Sequence, residues 1–224
     1  MNRWIALILC VVTLPACSLQ KLTANQTADA LYSGQIALES EPDVHFAKAA
    51  LPGSLKTVET FLHSSPENKK FLEMLAKGYF SYAFAFIEWD LEVAQFGMAE
   101  EETIALLNRR AVIHYMRARE FGWRLLDNDD VRNAAESGDE AALDSALAKL
   151  DEDDVPGIFW VGYAWGAAIN LSQDDPDMVA QLNLVEKMLR RSMELDDTYF
   201  FGGVHLFFGV FYASRPAMAG GDPE

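Results

Sequence analysis

The sequence predicts an all-α fold, and two observations support this prediction. Strand signals are nearly absent, because no two-residue hairpin turn lies between alternating apolar runs. Helix-start signals recur instead, at Glu41-Pro42-Asp43, Ser65-Pro66-Glu67, Asp175-Pro176-Asp177 and Asp222-Pro223-Glu224. In the last three, a Ser or Asp side chain can cap free N–H groups, and proline fits the first helical position. We therefore expect a chain of helices joined by short turns.

The first kind of predicted helix is amphipathic. In segment 178–195 the apolar residues follow a four-three-four spacing that places them on one helix face: Met178, Leu182, Val185 and Leu189. Segments 44–63 and 101–126 show a similar pattern. This pattern is typical of helices that lie at the surface of a domain and bury one side.

The second kind is apolar nearly all round and rich in glycine, alanine and aromatic residues. Three such segments are predicted, at 75–89 (within an inner helix at 70–89), 157–171 and 199–213. Their apolar runs are too short to cross a bilayer, so we interpret them as central helices that are covered on several sides. Four glycines are expected to let neighbouring helices approach closely: Gly78, Gly162, Gly166 and Gly209. The alternation of the two kinds is typical of helix-pair repeats, in which each unit buries its face on its neighbours.

Two regions interrupt or end this alternation. Residues 127–155 are acidic and alanine-rich, and we expect an insertion there, with a loop and one short helix at 139–150. The helix-start signal at 222–224 comes at the end of the sequence, so we expect the natural protein to continue with a further helix. One helical domain is accordingly predicted over residues 17–224.

The N-terminus resembles the export signal of a bacterial lipoprotein. Arg3 makes a short basic region, and the apolar run 4–13 is too short for a stable membrane anchor. Leu14-Pro15-Ala16-Cys17 resembles a lipobox, in which a small residue precedes a cysteine that is acylated before cleavage, although Pro15 departs from the usual pattern. We predict a signal peptide at 1–16 and lipidation of Cys17. The alternatives are an uncleaved anchor, or an ordinary signal peptide with an incidental cysteine.

Lipidation of Cys17 would place the protein at the periplasmic face of a bacterial membrane. Two or three acyl chains, such as palmitate, give stable anchoring, whereas one chain binds reversibly. Ser18 after the cysteine predicts the outer membrane, by the sorting rule familiar from enterobacterial lipoproteins. Cys10 would leave with the signal peptide, so no cysteine would remain for a disulfide bond.

Charge and motifs argue against several classes of function. The net charge of -16 repels nucleic-acid phosphates, so we expect no nucleic-acid partner. The sequence has no Gly-x-Ser-x-Gly elbow, no His-Glu-x-x-His helix and no glycine-rich phosphate loop. The acidic residues 127–130 lack the glycine and glutamate of an EF-hand loop, and His205 is interpreted as a hydrogen-bonded core residue. We predict no enzyme activity, no cofactor and no metal.

Aromatic residues concentrate on the predicted central helices. Eight of them are candidates for the wall of a ligand cleft: Tyr79, Tyr82, Phe86, Trp160, Tyr163, Trp165, Phe207 and Tyr212. Ligand sites are mostly apolar with a few polar groups, such as a tyrosine hydroxyl or an indole N–H. Ordinary core packing is the alternative for each of the eight, and both interpretations stay open.

Five segments resemble the T component (TatT family) of TRAP transporters, the tripartite ATP-independent periplasmic transporters. They are GYFSYAFAFIE (78–88), RAREFGWRLL (117–126), FWVGYAWGAAI (159–169), LSQDDP (171–176) and HLFFGVFYASRP (205–216), the last followed by GGDP (220–223). The resemblance covers residues 17–224. It implies a periplasmic lipoprotein with a tetratricopeptide-like fold, and a cleft or pore proposed to take apolar or amphipathic ligands.

Two functions are compatible with these features. The resemblance implies an accessory component of a TRAP-type uptake system that works beside the solute-binding P component, with an apolar small molecule as a further ligand. The alternative is a tetratricopeptide-like envelope scaffold, which binds proteins without any solute. A homo-oligomer is compatible with both.

Overall fold

The computed structural model describes residues 16–213, with side chains from residue 19. Its regular elements are α1 (Ala16–Gly34), α2 (Ile36–Glu39), α3 (Val44–Ser64), α4 (Lys69–Tyr82), a π-helical turn (Ala83–Glu88), α5 (Trp89–Phe96), α6 (Glu101–Leu126), α7 (Asp129–Ser137), α8 (Glu140–Leu147), a 3₁₀ turn (Glu152–Asp154), α9 (Val155–Asn170), α10 (Pro176–Val179), α11 (Leu182–Leu195) and α12 (Tyr199–Ala213). No strand occurs in this range, so the all-α prediction is confirmed. Three predicted features lie outside what is described: the signal sequence up to residue 15, the side chain of Cys17 and the helix start at 222–224.

The chain divides into two compact units, with the boundary between Leu75 and Ala76. In the first unit, α3 begins after Asp43, whose side chain accepts hydrogen bonds from the N–H groups of His45 and Phe46. One face of α3 is buried at four residues with helical spacing: Leu51, Leu55, Val58 and Leu62. The amphipathic helix predicted at 44–63 is thus confirmed.

The helix start predicted at 65–67 is wrong, because α4 begins at Lys69. The side chain of Asn68, rather than that of Ser65, accepts the hydrogen bond from the N–H group of Phe71. Ser65 instead follows the end of α3, where its hydroxyl donates to the side chain of Asn25 at 2.8 Å. A local serine cap is therefore replaced by a contact with a residue distant in sequence.

In the second unit, α9 is the central helix, and most of its side chains are buried against α6 and α11. Two glycines allow the backbones of α6 and α9 to approach. A Cβ atom at Gly157 would lie 2.6 Å from the Cα atom of Leu126, and one at Gly122 would lie 2.9 Å from the backbone nitrogen of Val161. The central helix predicted at 157–171 is confirmed, although neither glycine was identified from the sequence.

Of the four predicted glycine contacts, two are confirmed, one is wrong, and that of Gly78 stays a prediction. A Cβ atom at Gly162 would lie 2.7 Å from the side chain of Leu189, and one at Gly166 would lie 2.7 Å from the ring of Phe207. Gly209 has no neighbouring atom within 4 Å of such a Cβ position. The reason is that α12 leaves one side exposed there, so the prediction that 199–213 is covered on several sides is also wrong for the described chain.

The acidic region 127–155 forms two helices, α7 and α8, instead of a loop with one helix. The side chains of Asn128 and Asp139 cap their N-termini by accepting from the N–H groups of Val131 and Ala142. Gly138 ends α7 in the left-handed conformation, with a φ of 72°. Both helices bury small apolar side chains, so this region is a packed helical hairpin.

The segment predicted as one helix at 178–195 is two helices, with a break at residues 180–181. Asp175 caps α10 by accepting from the N–H groups of Asp177 and Met178, as the Asp-Pro-Asp signal predicts. At the break, the side chain of Gln181 accepts a hydrogen bond of 2.9 Å from the indole N–H of Trp165 on α9. Among the described helices, none has an apolar stretch of the length needed to cross a membrane.

Candidate functional site: an aromatic cluster beside a half-buried carboxylate

A cluster of aromatic rings surrounds Trp160, which is fully buried on α9. Its ring centroid lies 5.7 Å from that of Phe80 on α4 and 4.7 Å from that of Phe200 on α12. Its indole N–H donates a hydrogen bond of 3.0 Å to the hydroxyl of Tyr199. Offset and edge-on contacts of this kind stabilise a core beyond the area that they bury. We call Phe80, Phe159, Trp160, Tyr163, Tyr199 and Phe200 the aromatic cluster.

Tyr163 lies one helical turn after Phe159 and is half-buried. Its ring is stacked on that of Phe159, with a centroid distance of 4.8 Å, and lies at the same distance from that of Phe80. Burial raises the pKa of the Tyr163 hydroxyl. Tyr163 therefore brings a neutral hydroxyl group to the edge of an otherwise apolar surface.

A carboxylate lies beside this cluster, at the end of the π-helical turn. The hydroxyl of Tyr115 on α6 donates a hydrogen bond to Oε1 of Glu88. Burial raises the pKa of Glu88, while the hydrogen bond from Tyr115 acts in the opposite direction. Burial also raises the pKa of Tyr115. The ring of Tyr115 lies 5.2 Å from that of Phe80, which joins this pair to the aromatic cluster.

Single-turn π-bulges inside α-helices are frequent at functional sites, and the π-helical turn is of this kind. It interrupts one continuous run of helix from Lys69 to Phe96, without a proline or glycine within the turn. Glu88 is the one charged residue between positions 78 and 89. An apolar run that contains a single acid is an indication of a functional carboxylate, and the sequence interpretation did not use it.

A separate surface groove of about 490 Å³ lies between α8 and α11 in the second unit. Its walls carry both signs of charge, and Lys187 pairs there with Asp144 at 2.7 Å. This hydrogen bond raises the pKa of Lys187. None of the eight aromatic candidates lines this groove. Its chemistry is that of a polar surface, which differs from that of the aromatic cluster.

The family model of the TRAP transporter T-component matches residues 40–224 of the chain. The chain belongs to this family. The T component is one of the components of a TRAP transporter. An uncharacterized protein of Treponema pallidum (strain Nichols) is 26% identical over 186 residues, which are 82% of this chain and 57% of that protein. The chain thus spans less than two thirds of this relative's length.

The structure of this T component places the eight aromatic candidates in several groups. Trp160 and Tyr163 belong to the aromatic cluster, and Phe207 contacts it through Tyr163 at 6.3 Å. Tyr82 lies between Phe86 and His114, with ring distances of 5.8 and 5.3 Å.

The other three candidates contact basic side chains. The guanidinium groups of Arg117 and Arg119 lie 4.8 Å over the ring of Tyr79 and 4.7 Å over that of Trp165. The hydroxyl of Tyr212 accepts a hydrogen bond of 3.0 Å from Arg190. Together with the other five, these residues form neighbouring patches instead of one continuous wall.

Two further predictions concern charged or metal-binding groups of the T component. His205 is exposed on α12 and its Nε2 atom lies 3.2 Å from a carboxylate oxygen of Asp197, so its interpretation as a core residue is wrong. Over the described residues, no group of three or more His, Cys, Asp or Glu side chains could hold a metal ion. The residues that the sequence missed are four members of the aromatic cluster and the pair beside it: Phe80, Phe159, Tyr199, Phe200, Glu88 and Tyr115.

Proposed function

We propose that this T component binds the solute-binding protein of a TRAP transporter and takes an apolar or amphipathic solute at its aromatic cluster. The observation that carries the solute proposal is the Glu88–Tyr115 pair beside the half-buried Tyr163. A few polar groups in an aromatic surface are the usual chemistry of a site for a small amphipathic molecule. The rings would hold the apolar body, and Glu88 and Tyr163 would meet a hydrogen-bonding end.

Native mass spectrometry of the full-length chain from its own membranes tests the solute proposal. A retained small molecule is expected in the wild type, with at least about tenfold lower occupancy in Glu88→Gln combined with Tyr163→Ala. Lys187→Ala, in the charged groove, is the matched control and should retain the molecule. Absence of any bound molecule, or equal retention in all three proteins, would contradict the proposal.

Partner binding is tested by co-purification with the solute-binding protein of the same transporter. Family membership supports the association, because T components act in TRAP systems. The two proteins are expected to elute together at micromolar concentrations. Clean separation, both with and without added solute, would remove the partner proposal.

We further propose that Cys17 is lipidated and holds the protein at the periplasmic face of the outer membrane. The support is the basic flank, the apolar run and the Leu-Pro-Ala-Cys sequence at the N-terminus. Metabolic labelling with radioactive palmitate tests this proposal. We expect the wild type to be labelled and Cys17→Ser to carry no label. Membrane fractionation then shows which membrane holds the protein. An unlabelled wild-type protein would contradict the proposal.

A second candidate function is a protein-binding scaffold without a solute. The observation that favours it is the mutual packing of the aromatic rings, since Trp160 has no exposed surface and Phe159 almost none. Such packing is also what an ordinary core would show. A complex with the solute-binding protein, but no retained small molecule, would favour this scaffold.

A further inference from the structure

The aromatic cluster is closed around its two central rings. Trp160 has no exposed surface and Phe159 is 1% exposed, so neither ring is accessible to a solute in this conformation. Three members at the edge of the cluster are half-buried: Tyr163, Tyr199 and Phe200. A solute that contacts the central rings must therefore displace one of these side chains first.

Phe200 covers both central rings. The centroid of its ring lies 4.7 Å from that of Trp160 and 5.8 Å from that of Phe159. The Nζ atom of Lys77 on α4 lies 5.5 Å from the centroid of the same ring. Removal of the Phe200 ring would uncover part of Trp160 and leave a space of the size of a phenyl group beside it.

The backbone distinguishes Phe200 from the other members of the cluster. Phe200, Phe201 and Gly202 are left-handed, with φ angles of 48°, 59° and 70°. L-residues adopt this conformation at a cost, and such strained residues are frequent at ligand clamps and switch regions. A change to the right-handed region would relieve this cost and turn the Phe200 side chain away from Trp160.

The left-handed turn lies between two fixed points. Before it, the N–H group and the hydroxyl of Thr198 donate hydrogen bonds of 2.9 and 2.6 Å to Oδ1 of Asp196, directly after α11. After it, a Cβ atom at Gly203 would lie 3.0 Å from Cζ of Phe159, so the chain is close against α9 there. The part that can change conformation is therefore short, and a few residues that absorb a φ/ψ change are sufficient for a hinge.

We infer that Phe200 is the gate of the solute site. Its ring leaves Trp160 when the turn at 200–202 changes conformation, and an apolar group of the solute takes its place. This inference rests on the solute site given under Proposed function and adds the route of entry. It also adds a preference, because the group that replaces the Phe200 ring has about the size of one aromatic ring. The closed turn keeps water away from Trp160 while no solute is bound.

The experiment measures stopped-flow binding of N-phenyl-1-naphthylamine, an uncharged aromatic probe whose fluorescence rises in an apolar site. Its phenyl group matches the ring of Phe200. The full-length chain is used in lipid nanodiscs, with empty nanodiscs as the baseline. Phe200→Ala removes the gate. Phe201→Ala is the matched control, because Phe201 has the same left-handed backbone and is 93% exposed.

In the wild type we expect the observed binding rate to level off at high probe concentration, because opening of the turn then limits binding. In Phe200→Ala the rate should keep rising in proportion to the probe concentration and exceed the wild-type plateau at least about tenfold. Phe201→Ala should stay within about threefold of the wild type. Phe201→Asn, which relieves strain in the closed turn, should lower the plateau about two- to fivefold.

Phe200→Leu is the second gate variant, because it keeps an apolar side chain if Phe200→Ala lowers the stability. Its rate should lie between those of the wild type and Phe200→Ala, and circular dichroism spectra show whether both variants are folded. A wild-type rate that rises linearly over the whole range, or equal plateaus in wild type and Phe200→Ala, would remove the gate and leave the solute site in place.

Two other outcomes would also overturn the inference. A probe that binds neither the wild type nor Phe200→Ala removes the gate together with the aromatic cluster as a site for apolar molecules. Binding in Phe200→Ala alone would be binding in a cavity created by the substitution, and it would remove the gate.

Discussion

The hydroxyl of Tyr115 donates a hydrogen bond to the carboxylate of Glu88, and this bond ties α6 to the end of the π-helical turn. Tyr115 has no exposed surface, and burial raises the pKa of both groups. A carboxylate in such a place needs a donor, because a buried charge without a partner is costly. The hydrogen bond therefore stabilises a polar feature beside the aromatic cluster.

Removing the donor of this pair should destabilise the second unit. In Tyr115→Phe, Glu88 loses its hydrogen bond while the ring packing is kept, so the free energy of unfolding should fall by about 1–3 kcal/mol. Urea denaturation measures this change. Tyr32→Phe is the matched control, since the Tyr32 hydroxyl donates to Glu73 at 2.8 Å in a less buried position and should cost less. Equal stability of Tyr115→Phe and wild type would show that the hydrogen bond from Tyr115 to Glu88 does not stabilise the folded state.

The raised pKa of Glu88 predicts a specific pH dependence of stability. Between the ordinary glutamate value of about 4.3 and the raised value, the folded state binds more protons at Glu88 than the unfolded state. The contribution of Glu88 to stability is therefore present at low pH and is lost as the pH rises through this window. Glu88→Gln, which does not titrate, should gain stability relative to wild type as the pH rises. In urea denaturation the gain in the free energy of unfolding should be less than about 1 kcal/mol, because the group is half-exposed. A stability difference between Glu88→Gln and wild type that stays constant with pH would contradict this prediction.

Two glycines of the second unit should respond to alanine in opposite directions. Gly157→Ala would place its Cβ atom 2.6 Å from the backbone of Leu126, so α6 and α9 must move apart, at a cost of about 1–3 kcal/mol. Gly209→Ala meets no atom within 4 Å and should stabilise α12 by about 0.5–1 kcal/mol. Thermal unfolding followed by circular dichroism measures both. A stabilising Gly157→Ala would show that the two helices are not in close contact.

Phe200 and Phe201 have positive φ angles of 48° and 59°, which L-residues with bulky side chains adopt at a cost. Phe201 is 93% exposed and, among the aromatic rings that the structure describes, its ring contacts only that of Phe200, so Phe201→Asn should relieve strain with little loss of packing. We expect it to stabilise by roughly 0.5–1 kcal/mol. Phe200→Asn relieves the same strain but loses the contact with Trp160, so we expect a net loss of about 1–2 kcal/mol. A lower Tm for Phe201→Asn would contradict the strained conformation.

The helical fold was predictable because its signals are local. Apolar spacing alone predicted α6 at 101–126, and Asp175-Pro176 predicted the cap of α10. The break at residues 180–181 was not predictable, because no proline or glycine lies there and Gln181 instead contacts Trp165 on another helix. The left-handed residues near the start of α12 were missed for a similar reason, since nothing at Phe200 indicates a positive φ.

The candidate site was predictable only in part. The concentration of aromatic residues on three segments made Trp160 and Tyr163 candidates, but it did not predict their neighbours. Contacts between rings depend on how helices distant in sequence pack. Phe80 and Phe159 lie in the same apolar runs and carry no signal that separates them from core residues. Tyr115 lies on a helix that its amphipathic pattern assigns to the surface. Glu88, which accepts its hydrogen bond, ends a π-helical turn that the sequence pattern did not indicate.

Sedimentation velocity of the full-length chain in nanodiscs, mixed with the solute-binding protein of the same transporter at micromolar concentrations, tests the central claim most directly. The account predicts one faster-sedimenting species with the summed mass of both partners. Two independently sedimenting proteins across this concentration range, with and without added solute, would contradict the account.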